Sequence, residues 1–157
     1  MNKRFYFITV TLCCVTIVLA SFSSPSDKLA IPYPDGYRDW MHVKTYIVGP
    51  KNPAFKLIGG FNHVYANDVA MKGYTTGDFP DGSVIVSDVI STVEDSITIR
   101  EGGRHHIDVM VKDDGAWDFE SFRGDSKSDR MLTPDVVAKC VTCHRKDKNM
   151  VFSEYRH

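Results

Sequence analysis

The sequence predicts an α+β domain: an antiparallel sheet of about five strands, with one helix in its middle and another at its C-terminal end. Three observations carry that reading. Runs rich in β-branched and apolar residues, at 39–48, 83–93, 105–112 and 116–122, are separated by turn residues. Asp114-Gly115, between two of these runs, is the strongest short hairpin signal in the chain. Helix-start chemistry stands at Asn67-Asp68 and again at Thr133-Pro134-Asp135.

Taken in order, Pro25, Pro32 and Pro34 oppose any helix interior and make residues 24–36 an extended lead-in. The domain proper is expected from Tyr37 to His157. Asp39 to Val48 reads as a strand stopped by Gly49-Pro50 and Asn52-Pro53, and Phe61 to Tyr65 as a second, short strand. Asn67-Asp68 then opens a helix through Val69, Ala70, Met71 and Tyr74 that ends at Gly77. After the Phe79-Pro80-Asp81-Gly82 turn, Ser83 to Val93 has the density of a well-covered strand, continued by Ile97 to Arg100. Gly102-Gly103 is expected to break that run. His105 to Lys112 alternates, with Ile107, Val109 and Val111 on one face and His106, Asp108 and Met110 on the other. The Asp-Gly turn leads into Ala116 to Phe122, and residues 123–130 form a polar loop. The last helix has Thr133 as cap, Pro134 at its first position and carries Val136, Val137 and Cys140.

With 19 basic against 20 acidic side chains and no Lys/Arg cluster longer than a dipeptide, nothing here offers a footprint for nucleic acid. The amino terminus reads as an address. Lys3 and Arg4 precede an uncharged run from Phe5 to Phe22, and small residues follow at Ala20, Ser21, Ser23 and Ser24. That pattern is a secretory signal peptide over 1–23, with cleavage after Ala20 or one of the serines. An uncleaved anchor is the alternative, because the run is at the short edge of the roughly 17–25 residues that span a bilayer. Either way the domain is expected outside the cytoplasm, in the periplasm or an equivalent compartment. No small residue immediately precedes Cys13 or Cys14, so they do not read as a lipoprotein site, and cleavage would discard them.

The remaining cysteines carry the chemistry. Cys140-Val141-Thr142-Cys143-His144 is a Cys-x-x-Cys-His sequence, the attachment signature of c-type haem. On a helix, residues three and four apart share a face, so two thiols can reach one side of a porphyrin while the imidazole is aimed at the iron. A disulfide, half of a zinc site and a thioredoxin-like pair are the competing readings. A zinc site lacks a second cysteine pair once the leader is gone, and a thioredoxin pair opens a helix whereas this one closes it. One covalent haem c is therefore expected, bound by Cys140 and Cys143 with His144 as proximal iron ligand, on the C-terminal helix.

A haem motif so near the end of a β-rich chain resembles the cytochrome P460 and cytochrome c′-beta superfamily. The matching pieces are Tyr37-Arg38-Asp39-Trp40, His63-Val64-Tyr65-Ala66-Asn67, Thr76-Gly77-Asp78-Phe79 and Asp81-Gly82-Ser83-Val84-Ile85-Val86. They continue with Val111-Lys112-Asp113, Ala116-Trp117 and Met150-Val151-Phe152, so the resemblance covers about residues 31–153. Only the haem motif is specific by itself; order and spacing supply the rest.

The resemblance implies an extracytoplasmic mono-haem protein with a small β-sheet fold, in a family whose members are often dimers. In members that oxidise hydroxylamine a lysine is bonded to the porphyrin. Counting from Asp81-Gly82 puts Ser87 at that position, which cannot make the amine cross-link; Lys72, on the middle helix, is the substitute if that match is displaced. The enzymes carry an acidic group over the open iron position, whereas the gas-binding members cap it with phenylalanines. Matching back from Val111-Lys112-Asp113 gives Asp108 as the acid, a candidate catalytic base. Phe55, Phe61 and Phe79 are the candidate caps, and His63 either hydrogen-bonds a distal ligand or ligates the iron. His105 and His106, after the Gly-Gly pair, read as exposed, and Met150 and His157 are weak sixth ligands.

Three functions follow as expectations. The first is a haem oxidoreductase acting on hydroxylamine or nitric oxide with Asp108 as distal acid or base, passing electrons to a redox partner protein. The second is a non-enzymatic gas-binding cytochrome with an open distal site. The third is a plain electron-transfer cytochrome whose sixth position is closed by His63 or a methionine.

Overall fold

The structure, a computed structural model, describes residues 30–156. The expected signal peptide, the first part of the lead-in and His157 lie outside these residues. Five strands form one antiparallel sheet in the order β1-β2-β3-β4-β5: β1 Met41–Val48, β2 Gly60–Ala66, β3 Val84–Glu94, β4 Ile99–Asp113 and β5 Ala116–Arg123. The helices are α1 Phe55–Ile58, α2 Asp68–Thr76 and α3 Pro134–His144. Each strand pairs with its sequence neighbour, so every connection is local and the expected α+β arrangement is present. Among the described residues no helix is long and apolar enough to cross a membrane.

Local chemistry accounts for the connections. Asn67 caps α2 by accepting a hydrogen bond from Ala70 N at 2.8 Å, and the same side chain reaches Val84 N (3.1 Å) and Gly82 O (2.9 Å). One residue thereby ties the helix start to the start of β3. At the other end of α2, Gly77 takes the left-handed conformation (φ 81°) that stops the helix. Asp114 and Gly115 both have positive φ (47° and 72°) and form the expected two-residue hairpin, closed by the Asp113–Ala116 pair.

Gly102-Gly103 does not end a strand. β4 runs through it, and the pairing with β3 shifts register on either side of Ile90 instead. A Cβ on Gly102 would lie 2.5 Å from Ser91 Oγ, so the bare backbone lets the strands close up, and Ser91 Oγ donates to Gly103 O at 3.0 Å. Glycine inside a strand marks an irregularity here, not a boundary. The four-residue helix α1 is an addition to the expected elements.

The sheet has two covered faces. On the first, Val86, Ile107, Val109 and Phe122 are fully buried beneath Tyr37, with Ile31, Tyr33, Trp40 and Tyr65 packed around them. The lead-in is thus part of the fold from Ile31 onward. Asp88, also fully buried on this side, fastens it: Tyr37 Oη donates at 2.7 Å, Arg38 Nε at 3.0 Å and Arg104 Nε at 2.7 Å. On the second face, Val64, Ala66, Ile85, Met110 and Trp117 pack with Ala70 of α2, Phe79 and the C-terminal Met150, Val151 and Tyr155. Phe79 sits on Gly73, where a Cβ would be only 2.2 Å from its ring. The alternation expected for β4 holds, since Ile107 and Val109 belong to one cluster and Met110 to the other.

Candidate functional site

Helix α3 begins at Pro134 and ends with Cys140, Cys143 and His144 in its last two turns. Both cysteines are free thiols, Cys140 half-buried and Cys143 exposed. The His144 ring packs between Phe119 of β5 (centroids 4.9 Å apart) and Phe152 (4.7 Å), so the helix end is seated on the second face. Its Nδ1 lies 2.7 Å from Met150 O. A carbonyl only accepts, so Nδ1 carries a proton, which leaves Nε2 as the nitrogen that could bind a metal.

The chain makes that contact by turning back sharply after α3. Asn149 and Met150 both adopt positive φ (62° and 63°), a conformation that costs non-glycine residues energy and must be held by its surroundings. Trp117 Nε1 donates to Asn149 O at 2.9 Å, and the Asn149 amide bonds Gly77 O at the end of α2. Met150 serves through its carbonyl while its side chain joins the core.

Opposite α3, the second face carries a row of oxygen-bearing side chains. Ser87, Asp108 and Ser121 are register partners on β3, β4 and β5 and point the same way. The Ser121 hydroxyl donates to Asp108 Oδ1, and His106 Nε2 is 3.2 Å from Oδ2. Tyr46 of β1 completes the row. Burial raises its phenol above the ordinary range and the Asp108 charge adds to this, against a hydrogen bond with Ser87. Cys140 feels the same charge: burial first, then Asp108, pushes its thiol up. Tyr74 of α2 donates to or accepts from Ser153 Oγ at 2.6 Å, and burial takes its phenol to about 12.

The structure therefore brings Cys140, Cys143, His144, Ser87 and Asp108 to one side of the sheet. Two of the other named residues, His63 and Phe61, lie on the opposite face. His63 pairs with Asp88 on the first face, its Nδ1 2.8 Å from Thr45 Oγ1 and its Nε2 2.7 Å from Glu101 Oε1. Phe61 stacks on it at 5.9 Å. The sheet separates both from α3, so the expectation that they line the distal pocket is corrected by the strand alternation. Phe79 is on the second face but is a core residue, edge-on to Tyr74 (5.1 Å) and Trp117 (5.6 Å). Lys72 and Phe55 are exposed. His106, expected at the surface, is 1% exposed. Tyr46 and Ser121 escaped the sequence reading because only register with their neighbours shows which face they take.

The sequence model of cytochrome P460 matches residues 34–153, most of the domain and all of the haem motif. The chain belongs to the cytochrome P460 family. No curated protein matches it. Membership makes it a haem protein, and the residues fit the group: two free thiols and an imidazole oriented through Nδ1 stand on consecutive turns of one helix. In this cytochrome P460 chain, Cys140, Cys143 and His144 are the residues that would hold the haem.

Proposed function

We propose that the protein is an extracytoplasmic cytochrome with one haem c, held by Cys140, Cys143 and His144. In this reading its distal side is open, faces Asp108, and binds or redox-converts a small nitrogen ligand, nitric oxide or hydroxylamine. The observation that carries the reading is the position of Asp108, on the same face of the sheet as Phe119, against which the His144 ring of α3 packs. When bound, the haem supplies an iron that takes a small ligand and changes oxidation state.

The chain's own residues supply the proton chemistry. Asp108 accepts a proton from an N–H or O–H of the ligand or returns one to it, held in place by the Ser121 hydroxyl and His106. Ser87 and Tyr46 add hydroxyls that can orient the ligand. His63, one of the sixth ligands that the plain electron-carrier reading offers beside a methionine, lies across the sheet. Ser87 offers no amine for a porphyrin cross-link, so hydroxylamine conversion here would rest on Asp108 without it. Export by the N-terminal segment places the domain where haem c is attached, and a redox partner protein would take or supply electrons.

Asp108→Ala should lower hydroxylamine turnover about 100-fold, or, in a protein that only binds gas, change the nitric oxide dissociation rate, with haem content unchanged. Turnover and dissociation both equal to wild type would remove Asp108 from the site.

A further inference from the structure

We propose that Asn149 and Trp117 are positioning residues for the haem iron: together they hold the Met150 carbonyl on Nδ1 of His144, and so set how strongly Nε2 of that ring binds the metal. The inference rests on the reading of His144 as the axial ligand and extends it to what governs that ligand's strength.

The carbonyl is held from parts of the chain that are distant in sequence. Trp117, buried on β5, donates Nε1–H to Asn149 O at 2.9 Å, and an indole has no other polar group to offer. Asn149 O belongs to the peptide that leads into Met150, so the bond fixes the plane next to the one whose carbonyl meets His144. The Asn149 side-chain amide donates to Gly77 O, at the left-handed end of α2. Past Met150 the chain is extended at Val151, whose side chain joins the core, and Ser153 Oγ is 2.6 Å from Tyr74 Oη of α2. The turn is therefore clamped on both sides of the Met150 carbonyl.

Backbone strain distinguishes this from an ordinary loop closure. Asn149 and Met150 are successive non-glycine residues in the left-handed region, which persists only where the surroundings over-determine it. Asparagine tolerates that region through its short polar side chain; methionine has no such help. What the strained turn secures is the 2.7 Å contact between Met150 O and His144 Nδ1. Phe119 and Phe152, which flank the His144 ring, carry no polar side-chain atom, so the carbonyl is what orients it.

The contact has a chemical consequence. A hydrogen bond from Nδ1–H to a carbonyl makes the imidazole a more basic ligand through Nε2. A more basic axial nitrogen favours ferric over ferrous iron, so the Met150 carbonyl strengthens the iron–histidine bond and lowers the reduction potential. Displacing it does the reverse.

The test is resonance Raman spectroscopy of the intact ferrous haem protein, reading the iron–histidine stretch, together with a redox titration. Asn149 is exposed, so its replacement leaves the core intact. Asn149→Ala removes the amide and disfavours the left-handed backbone. The stretch should move to lower frequency, and at a fixed applied potential the ferrous-to-ferric ratio should rise about 10-fold. Asn149→Gly removes the same amide but relieves the backbone, and should shift both readouts in the same direction by less. Trp117→Phe keeps an aromatic ring without the N–H and should behave as Asn149→Ala. Arg38→Ala, which loosens the domain from the opposite face, should leave both readouts as in wild type. Wild-type frequency and potential in both Asn149→Ala and Trp117→Phe would overturn the inference and leave His144 as the axial ligand. An iron–histidine band that survives in His144→Gly would overturn the axial reading and the inference with it.

Discussion

Replacing Asp88 by alanine is expected to cost about 3–5 kcal/mol of folding stability, the largest loss of any single polar substitution in the domain. Its carboxylate is completely buried and accepts from Tyr37, Arg38 and Arg104 together. Alanine would leave the Tyr37 hydroxyl without its acceptor in the core and Arg104, itself largely covered, with Asp125 alone. Arg38 is half exposed and can rehydrate, so Arg38→Ala should cost far less. A domain of this size has only about 5–15 kcal/mol to lose, and urea unfolding of the two variants should separate them clearly.

The same cluster predicts a pH dependence. Burial alone would raise the Asp88 carboxyl, but hydrogen bonds from Arg104, Tyr37 and Arg38 outweigh it and hold the group below the ordinary carboxylate range. Its contribution is therefore fully present above the unfolded value, roughly 3.9, and is lost as the pH falls through the lower folded value. The stability difference between wild type and Asp88→Asn should shrink below about pH 4 and stay constant at neutral pH. A difference that instead widens on acidification would show that the arginines do not hold the ionised form.

Removing both thiols, Cys140→Ala with Cys143→Ala, is expected to abolish covalent haem completely. Denaturing mass spectrometry should give the mature chain plus one haem for wild type and the chain alone for the double variant. Each single variant retains one sulfur on α3 and should hold haem by one thioether, in lower yield. The half-buried Cys140 and exposed Cys143 stand three residues apart, and no other described cysteine could substitute. Covalent haem surviving in the double variant would refute attachment at this motif.

How far the sequence reveals this arrangement depends on the kind of information a residue needs. The β4 alternation is legible because period 2 is local, and it places Asp108 and Met110 together correctly. His63 shows the limit: alternation says that it opposes Val64, but only its pairing with Asp88 says which face that is. His106 shares the i, i+2 spacing with Asp108, a signal of its burial, yet Gly102-Gly103 reads as a loop and masks it. The glycines instead admit a close strand approach, and the nearby bulge at His105 is set by the partner strand. Helix α1 has four residues between Pro53 and Gly59, too few for a helical period to register. The turn that brings Met150 O to His144 depends on left-handed backbone at Asn149 and Met150, fixed by Trp117 and Gly77 from distant parts of the chain. The Cys-x-x-Cys-His motif is the opposite case, since its spacing is local and can be read without knowing the fold.

The central claim is an open iron position facing Asp108, and the visible spectrum of the purified ferrous protein tests it most directly. An open site predicts the broad, high-spin pattern of five-coordinate haem, converting on addition of nitric oxide. A sharp, low-spin six-coordinate pattern in the absence of any added ligand would contradict it, because a side chain would then already occupy the position assigned to the ligand.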